Sequence, residues 1–193
     1  MNNISFNSFY KTFEMDGIKL PSVSKVVSYG EPPPGAWIIK YAERGTRIHE
    51  LCDEWVSDTM FLPPEEEFEQ AVNNFIDAIS QIGVDKSKLV IKDHRYHDEY
   101  LYQGIPDQHS KSDKILIDIK SGAFNKKFEE KNVMQLSAYT QLVDPYNDDW
   151  TMFNIYTKGE KPDIREYKFN PDIFCEFLEK LGEMRRGNEK VLC

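Results

Sequence analysis

The spacing of hydrophobic residues predicts helices in the first half of the chain. Apolar residues recur at intervals of three and four over residues 46–56 and 65–82, which predicts two amphipathic helices. In the second helix the apolar face carries Phe68, Val72 and Ile79, and Gly83 follows as a residue suited to end a helix. Both helices therefore have one face to bury against another layer.

The apolar pattern then shortens to runs typical of strands. Stretches rich in β-branched and aromatic residues predict strands over residues 88–96, 100–107 and 114–120, followed by strands over residues 150–157 and 164–169. A helical pattern separates the two groups over residues 127–143, and another follows over residues 171–186 with Pro171 in its first turn. The order of helix, three strands, helix and strand predicts an α/β fold with a mixed central sheet flanked by helices.

Length and composition indicate a folded chain of the size of one domain. The 193 residues are 40% hydrophobic, which suits one domain with a sizeable core. We expect an N-terminal extension over residues 1–45, a core over residues 46–170 and a C-terminal helix over residues 171–193. The sequence shows no membrane span and no signal peptide, so a cytoplasmic protein without membrane partners is expected. The three cysteines are scattered, which is typical of reduced thiols: Cys52, Cys175 and Cys193.

Charged residues gather where the second and third predicted strands end. Asp107 closes one strand, and Asp118 and Lys120 lie at the end of the next. Side chains alternate along a strand, so Asp118 and Lys120 share a face while Ile119 points the other way. With residues 108–113 as the turn of an antiparallel hairpin, Asp107 and Asp118 would converge. Two carboxylates beside a lysine are the chemistry of a divalent-metal site.

Each of these residues also has an ordinary structural explanation. Asp107 could be a turn carboxylate, and Asp118 and Lys120 could be surface charges at a strand edge. A single histidine on a helix, such as His49, is most often a packed or surface residue. Gln135 and Tyr139 lie four residues apart on one helix face and could form its polar edge. The pattern of residues alone leaves both explanations open.

The order of these residues resembles a known family of nucleases. Pro106-Asp107 followed by Asp118-x-Lys120 is similar to the motif of the PD-(D/E)xK superfamily, and His49 upstream with Gln135-x-x-x-Tyr139 downstream resembles its RecB-like exonuclease branch. The resemblance implies a restriction-endonuclease-like αβββαβ core. It also implies Mg²⁺ or Mn²⁺ bound by His49, Asp107, Asp118 and the backbone carbonyl of Ile119. Lys120 would be catalytic, and Gln135 and Tyr139 would contact a DNA phosphate or orient Lys120.

The same resemblance implies a function. We expect a metal-dependent DNA exonuclease of phage or mobile-element type that acts in recombination, repair or DNA processing. Its partners would be single- or double-stranded DNA with an end, and a recombination or replication protein. The three cysteines do not supply the four clustered thiolates of an iron–sulfur cluster. A net charge of −9 disfavours broad DNA binding, although lysines gather near the proposed site. The alternatives are a structure-specific endonuclease, a ribonuclease and a non-catalytic nucleic-acid-binding subunit.

Overall fold

The computed structural model describes residues 4–32, 35, 38–57 and 64–189. The helices in these ranges are α1 (Val23–Val27), α2 (Ile38–Val56), α3 (Glu66–Ile82), α4 (Glu129–Val143) and α5 (Pro171–Glu189). The strands there are β1 (Ile4–Asn7), β2 (Thr12–Met15), β3 (Ile18–Lys19), β4 (Val90–Ile91), β5 (Arg95–Tyr96), β6 (Gln103–Gly104), β7 (Gln108–Ser110), β8 (Ile115–Lys120), β9 (Thr151–Tyr156) and β10 (Asp163–Lys168). Cys193 lies outside the described residues.

A mixed five-stranded sheet in the order β10-β9-β8-β7-β4 forms the centre of the fold. Strands β8 and β9 are parallel and are joined through α4, whereas the other neighbours in the sheet pair antiparallel. A parallel pair needs a crossover connection, and the helix that supplies it packs back onto the sheet. This β8–α4–β9 unit places the end of β8 beside α4.

Helices cover both faces of the sheet, because β8 and β9 direct apolar side chains to each face. Ile117 and Ile119 belong to a core with the apolar faces of α2 and α3. Leu116 and Met152 belong to a second core with α1, α4 and α5. Burying a large aliphatic side chain contributes about 1.5–3 kcal/mol, so both faces of the sheet stabilise the fold. The predicted α/β architecture with a mixed sheet flanked by helices is confirmed.

The predicted turn over residues 108–113 is wrong in its first half. Gln108, His109 and Ser110 form strand β7, which pairs with β8 and is buried. These residues are typical of a turn because they are polar, but two of the side chains have polar partners inside the fold. His109 Nε2 lies 2.7 Å from a carboxylate oxygen of Asp93, and the Ser110 hydroxyl donates to Asp113 over 3.0 Å. Only the remaining residues make the turn.

The two strands predicted before that turn are broken into shorter pieces. Within residues 88–96, Lys92 adopts a left-handed backbone with φ of +52°, which separates β4 in the main sheet from β5 in a two-stranded sheet with β6. Within residues 100–107, Leu101 has the same φ, and only Gln103 and Gly104 pair as a strand. A left-handed residue interrupts a β-strand whatever its side chain favours.

The remaining segments agree with the sequence pattern. Helices α3, α4 and α5 and strands β8, β9 and β10 fall within a few residues of the predicted bounds, and Gly83 ends α3 with φ of +75°. Helix α2 is longer than predicted and begins at Ile38. The first twenty residues, which have no clear period, contain the three-stranded sheet β1-β2-β3. No helix of the described ranges is long and apolar enough to cross a membrane.

Candidate active site

The pairing of β7 with β8 brings the two predicted carboxylates together. Gln108 pairs with Ile117, so the next antiparallel position sets Asp107 opposite Asp118. Asp107 Oδ2 accepts a hydrogen bond of 2.8 Å from the backbone N–H of Ile119. The predicted convergence of Asp107 and Asp118 is therefore present, although it arises beside a paired β7 rather than across a loop.

Asp118 and Lys120 share the face of β8 that meets α4. Lys120 Nζ lies 2.7 Å from Asp118 Oδ2 and donates to Gln135 Oε1 over 3.0 Å. The contact with Asp118 is a close ion pair whose angles are poor for a directional hydrogen bond. Asp118 is only 3% exposed, so this buried carboxylate oxygen keeps the capacity to accept from another group or to bind a cation.

Helix α4 supplies Gln135 and Tyr139, which lie one turn apart on the same face. Gln135 Nε2 donates to the Tyr139 hydroxyl over 3.3 Å while its Oε1 accepts from Lys120. Tyr139 packs against Gly104, where an added Cβ would meet the ring at 2.7 Å. A chain of contacts thus runs from Gly104 through Tyr139 and Gln135 to Lys120.

His49 reaches the same site from α2. Its Nδ1 lies 3.2 Å from Asp107 Oδ1. Burial disfavours the charged imidazole, but the carboxylates of Asp107, Asp118 and Asp53 outweigh it and raise the pKa of His49 to about 9. The structure therefore brings together His49, Asp107, Asp118, Lys120, Gln135 and Tyr139, the side chains that the sequence singled out.

Three carboxylates, those of Asp53, Asp107 and Asp118, influence one another at the site. Burial raises the pKa of Asp118; Asp107 adds to the rise, and Lys120 opposes it. Burial also raises the pKa of Asp53 to about 6, although Gln108 and Lys92 lower it in part. Asp53 was not among the predicted site residues, yet it lies one helical turn after His49 on the same helix, and that spacing is a readable signal.

Several oxygens at this edge are suited to a hard divalent cation. The N–H of Ile119 is directed at Asp107, and the carbonyl of a strand residue faces the same side as its N–H, so the Ile119 carbonyl also faces the carboxylates. Two carboxylates, a backbone carbonyl and an imidazole are a donor set that Mg²⁺ or Mn²⁺ accepts. Among the described residues, however, no group of three or more His, Cys, Asp or Glu side chains is already arranged around a metal position.

A cleft of about 600 Å³ opens over these groups. His49, Asp107 and Asp118 lie in its wall, and the segment after β8 together with the start of α4 forms the rest. Apart from the site residues, the lining includes the hydrogen-bonding and cationic side chains of Ser121, Asn125, Lys131 and Asn132. The volume and the polar lining of the cleft are suited to a polar ligand.

Comparison with known proteins bears on the fold. No family model matches the chain, and no curated protein is similar to it in sequence. Among solved structures, a phage-related exonuclease from Haemophilus somnus 129PT superposes with a TM-score of 0.50 at 13% identity, over 90% of this chain and 95% of that one. The fold is restriction-endonuclease-like. The αβββαβ prediction is thereby confirmed.

A second solved structure is less similar. An alkaline exonuclease from Laribacter hongkongensis has a TM-score of 0.49 at 13% identity, over 88% of this chain and 87% of that one. With a TM-score below 0.5, this second superposition adds no support to the first. At such identities the likeness concerns the path of the chain, and chemistry has to be argued from the residues of the site.

Proposed function

We propose that the chain is a metal-dependent nuclease that hydrolyses DNA phosphodiester bonds from an end. The observation that carries the proposal is the convergence of Asp107, Asp118 and Lys120 at one edge of the sheet, with Lys120 held by Gln135. Asp107 and the Asp118-x-Lys120 pair resemble the PD-(D/E)xK pattern, and their spatial arrangement suits the chemistry that the pattern implies. The exonuclease named in the superposed structure supports the same assignment.

Mg²⁺ or Mn²⁺ would be held by Asp107, Asp118 and the Ile119 carbonyl, with His49 at the rim. Bound there, the ion would supply Lewis-acid activation of water and neutralisation of phosphate charge. The fit rests on the buried Asp118 oxygen without a directional hydrogen bond and on the nearby carboxylates that raise the pKa of His49. A cation would remove the cost of crowding these carboxylates.

Lys120 is suited to stabilise negative charge. Burial works against its charged form, but Asp118 and Asp107 raise its pKa above the ordinary value. Gln135 accepts from one donor of that ammonium, and Asp118 lies against it as an ion pair. A remaining donor can reach a non-bridging oxygen of the scissile phosphate, where negative charge grows in the transition state.

Gln135 and Tyr139 would act as positioning residues. Gln135 fixes the ammonium of Lys120 and in turn donates to the Tyr139 hydroxyl, so both side chains set the angle at which Lys120 faces the cleft. Because this arrangement resembles the RecB-like branch, we propose that cleavage proceeds from a DNA end. The net charge of −9 fits this mode, because a confined basic groove rather than a broad surface would hold the strand.

The test is a substrate panel with Mg²⁺ or Mn²⁺. Linear DNA should be shortened progressively and covalently closed circles should survive, while activity should fall steeply with salt because phosphate contacts release counterions. Rapid nicking of closed circles would favour a structure-specific endonuclease. Faster degradation of RNA than of DNA would favour a ribonuclease. Binding without cleavage would favour a non-catalytic subunit of a recombination or replication assembly.

A further inference from the structure

The side chain of Gln103 attaches the small sheet β1-β2-β3 beside the candidate active site. Gln103 Oε1 accepts from the backbone N–H of Phe13 over 2.6 Å, and its Nε2 donates to the carbonyl of Leu20 over 2.6 Å. Gln103 directly precedes Gly104, and Asp107 follows three residues later. The position of the small sheet is therefore coupled to the segment that carries the first site carboxylate.

A pocket of about 290 Å³ lies between this sheet and the site. Its described lining has ammonium, imidazole and hydroxyl side chains and no carboxylate: Lys11, Lys19, His94, Ser22 and Ser24. Acidic residues of the small sheet such as Glu14 lie outside it, and Glu14 accepts a hydrogen bond from Asn7. In a chain of net charge −9, a pocket lined in this way is suited to an anion such as a backbone phosphate.

A hydrogen bond connects a lining residue of the pocket to a lining residue of the cleft. Tyr139 and Gly104 line the pocket, and the Tyr139 hydroxyl accepts from Gln135, which lines the cleft. Ile105, another lining residue, is 40% exposed and lies two positions before Asp107. A polymer bound with one phosphate in the cleft could therefore continue past Tyr139 into the pocket.

Two aromatic rings project from the turn between β1 and β2. Phe9 is 84% exposed and Tyr10 is 66% exposed, and their ring centroids lie 4.8 Å apart at an interplanar angle of 88°. Lys11, which lines the pocket, follows directly with a left-handed φ of +49°. Exposed aromatic faces next to a cationic groove are the chemistry with which proteins bind single strands, by stacking on bases and pairing with phosphates.

We propose that the small N-terminal sheet is a binding element for single-stranded DNA. Lys11 and Lys19 contact backbone phosphates in the pocket, and Phe9 and Tyr10 stack on bases of the same strand. A duplex hides its base faces, so the stacking contacts select a strand that is already unpaired. The inference rests on the proposed nuclease function and deepens it, because it assigns the substrate class. The strand that extends from the cleft into the pocket is single-stranded DNA.

Binding is measured by fluorescence anisotropy with a labelled single strand of about 15 nucleotides and its blunt duplex, in EDTA so that nothing is cleaved. The two test variants are Phe9→Ala/Tyr10→Ala and Lys11→Ala/Lys19→Ala. The matched controls are Tyr146→Ala, which removes an exposed aromatic residue elsewhere, and Lys88→Ala/Lys168→Ala, which removes two lysines outside both cavities. Cleavage rates of the same variants, measured with Mn²⁺, then give KM and kcat separately.

Each test variant should bind the single strand about tenfold more weakly, and the lysine variant should lower the slope of log affinity against log salt by about 1.4. KM should rise similarly with kcat unchanged, and the controls should stay within about twofold of wild type. If wild type cleaves DNA and both test variants bind like it, this inference fails and the nuclease proposal stands. If the test variants lose as much affinity for the duplex as for the single strand, the single-strand assignment is wrong. A wild type that neither binds nor cleaves would overturn both.

Discussion

Asp107 Oδ2 lies 2.8 Å from the backbone nitrogen of Ile119 and accepts its hydrogen bond. The side chain of the first carboxylate is thus fixed by the strand that carries the second. A single shift in the β7–β8 register would move Asp118 to the opposite face of the sheet, so this bond and the pairing below it protect the site from slippage. The placement of the two carboxylates is therefore determined by the pairing of β7 with β8.

The first prediction concerns the metal. Asp118→Asn keeps the size of the side chain but removes the charge that a cation needs, so Mn²⁺ binding measured by calorimetry should be lost and cleavage should fall by about 10²–10³-fold or more. Circular dichroism should remain that of wild type. Asp148→Asn, at an exposed loop position, is the matched control and should change neither. Undiminished Mn²⁺ binding in the Asp118 variant would refute the proposed site.

The second prediction concerns Lys120. Lys120→Ala should lower kcat by about 10²–10³-fold while metal and DNA affinity stay within a few-fold, because the ammonium acts on charge that develops in the transition state. Lys120→Arg should not restore the rate, since a planar guanidinium cannot occupy the same contacts with Asp118 and Gln135. Lys168→Ala serves as the control. A kcat near wild type in Lys120→Ala would mean that this ammonium has no role in the reaction.

The local chemistry of the site was readable from the sequence because it depends on strand alternation. Asp118 and Lys120 share a face and Ile119 faces the other core, as a period of two requires. The identity of β7 was not readable, since Gln108, His109 and Ser110 are polar and become strand residues only through tertiary partners.

The N-terminal sheet was hidden for a related reason. Its strands are two to four residues long, and one of the side chains that attach it is Gln103, which lies about ninety positions away in the chain. Short strands carry too few residues to establish a period, and a side-chain bond over that distance leaves no local signal. The role of Gln103 could therefore be found only in the folded chain.

The third prediction concerns stability against pH. Asp144 caps the end of α4 and lies 2.8 Å from Lys111 Nζ and 2.6 Å from Lys114 Nζ. Burial alone would raise the pKa of Asp144, but the two lysines outweigh it and lower the pKa to about 2, against 3.8 for an ordinary aspartate. A lowered pKa means that this carboxylate stabilises the fold above pH 3.8 and that the contribution is lost as the pH falls toward 2.

Asp144→Asn should therefore lower the free energy of unfolding at pH 7 by about 1–2 kcal/mol, the smaller value allowing for solvent screening of the exposed Lys111. Urea unfolding at pH 7 and pH 3 measures the difference between wild type and variant, which should shrink at the lower pH. Asp148→Asn should show no such trend. A difference that is the same at both pH values would mean that the two lysines do not stabilise ionised Asp144.

The fourth prediction concerns Gly104, whose missing side chain makes room for Tyr139. A Cβ at this position would lie 2.7 Å from Tyr139 Cε1 and 3.0 Å from Leu142 Cδ1, and both of those side chains are buried. Gly104→Ala should therefore lower the free energy of unfolding by about 1–3 kcal/mol, the range typical of overpacking. Gly122→Ala is the control and should be nearly neutral, because a Cβ there meets nothing within 4 Å.

The same substitution should also reduce kcat, because the displaced Tyr139 ring moves the hydroxyl that accepts from Gln135, and Gln135 orients Lys120. Combining Gly104→Ala with Tyr139→Leu separates the two effects. The stability cost of Gly104→Ala should shrink once the ring is gone, since the two changes share one contact and are not additive. If Gly104→Ala lowers the free energy of unfolding equally in the wild-type and Tyr139→Leu backgrounds, the Tyr139 ring is not what excludes a Cβ at Gly104. The proposed influence of Gly104 on Lys120 through Tyr139 and Gln135 would then be wrong.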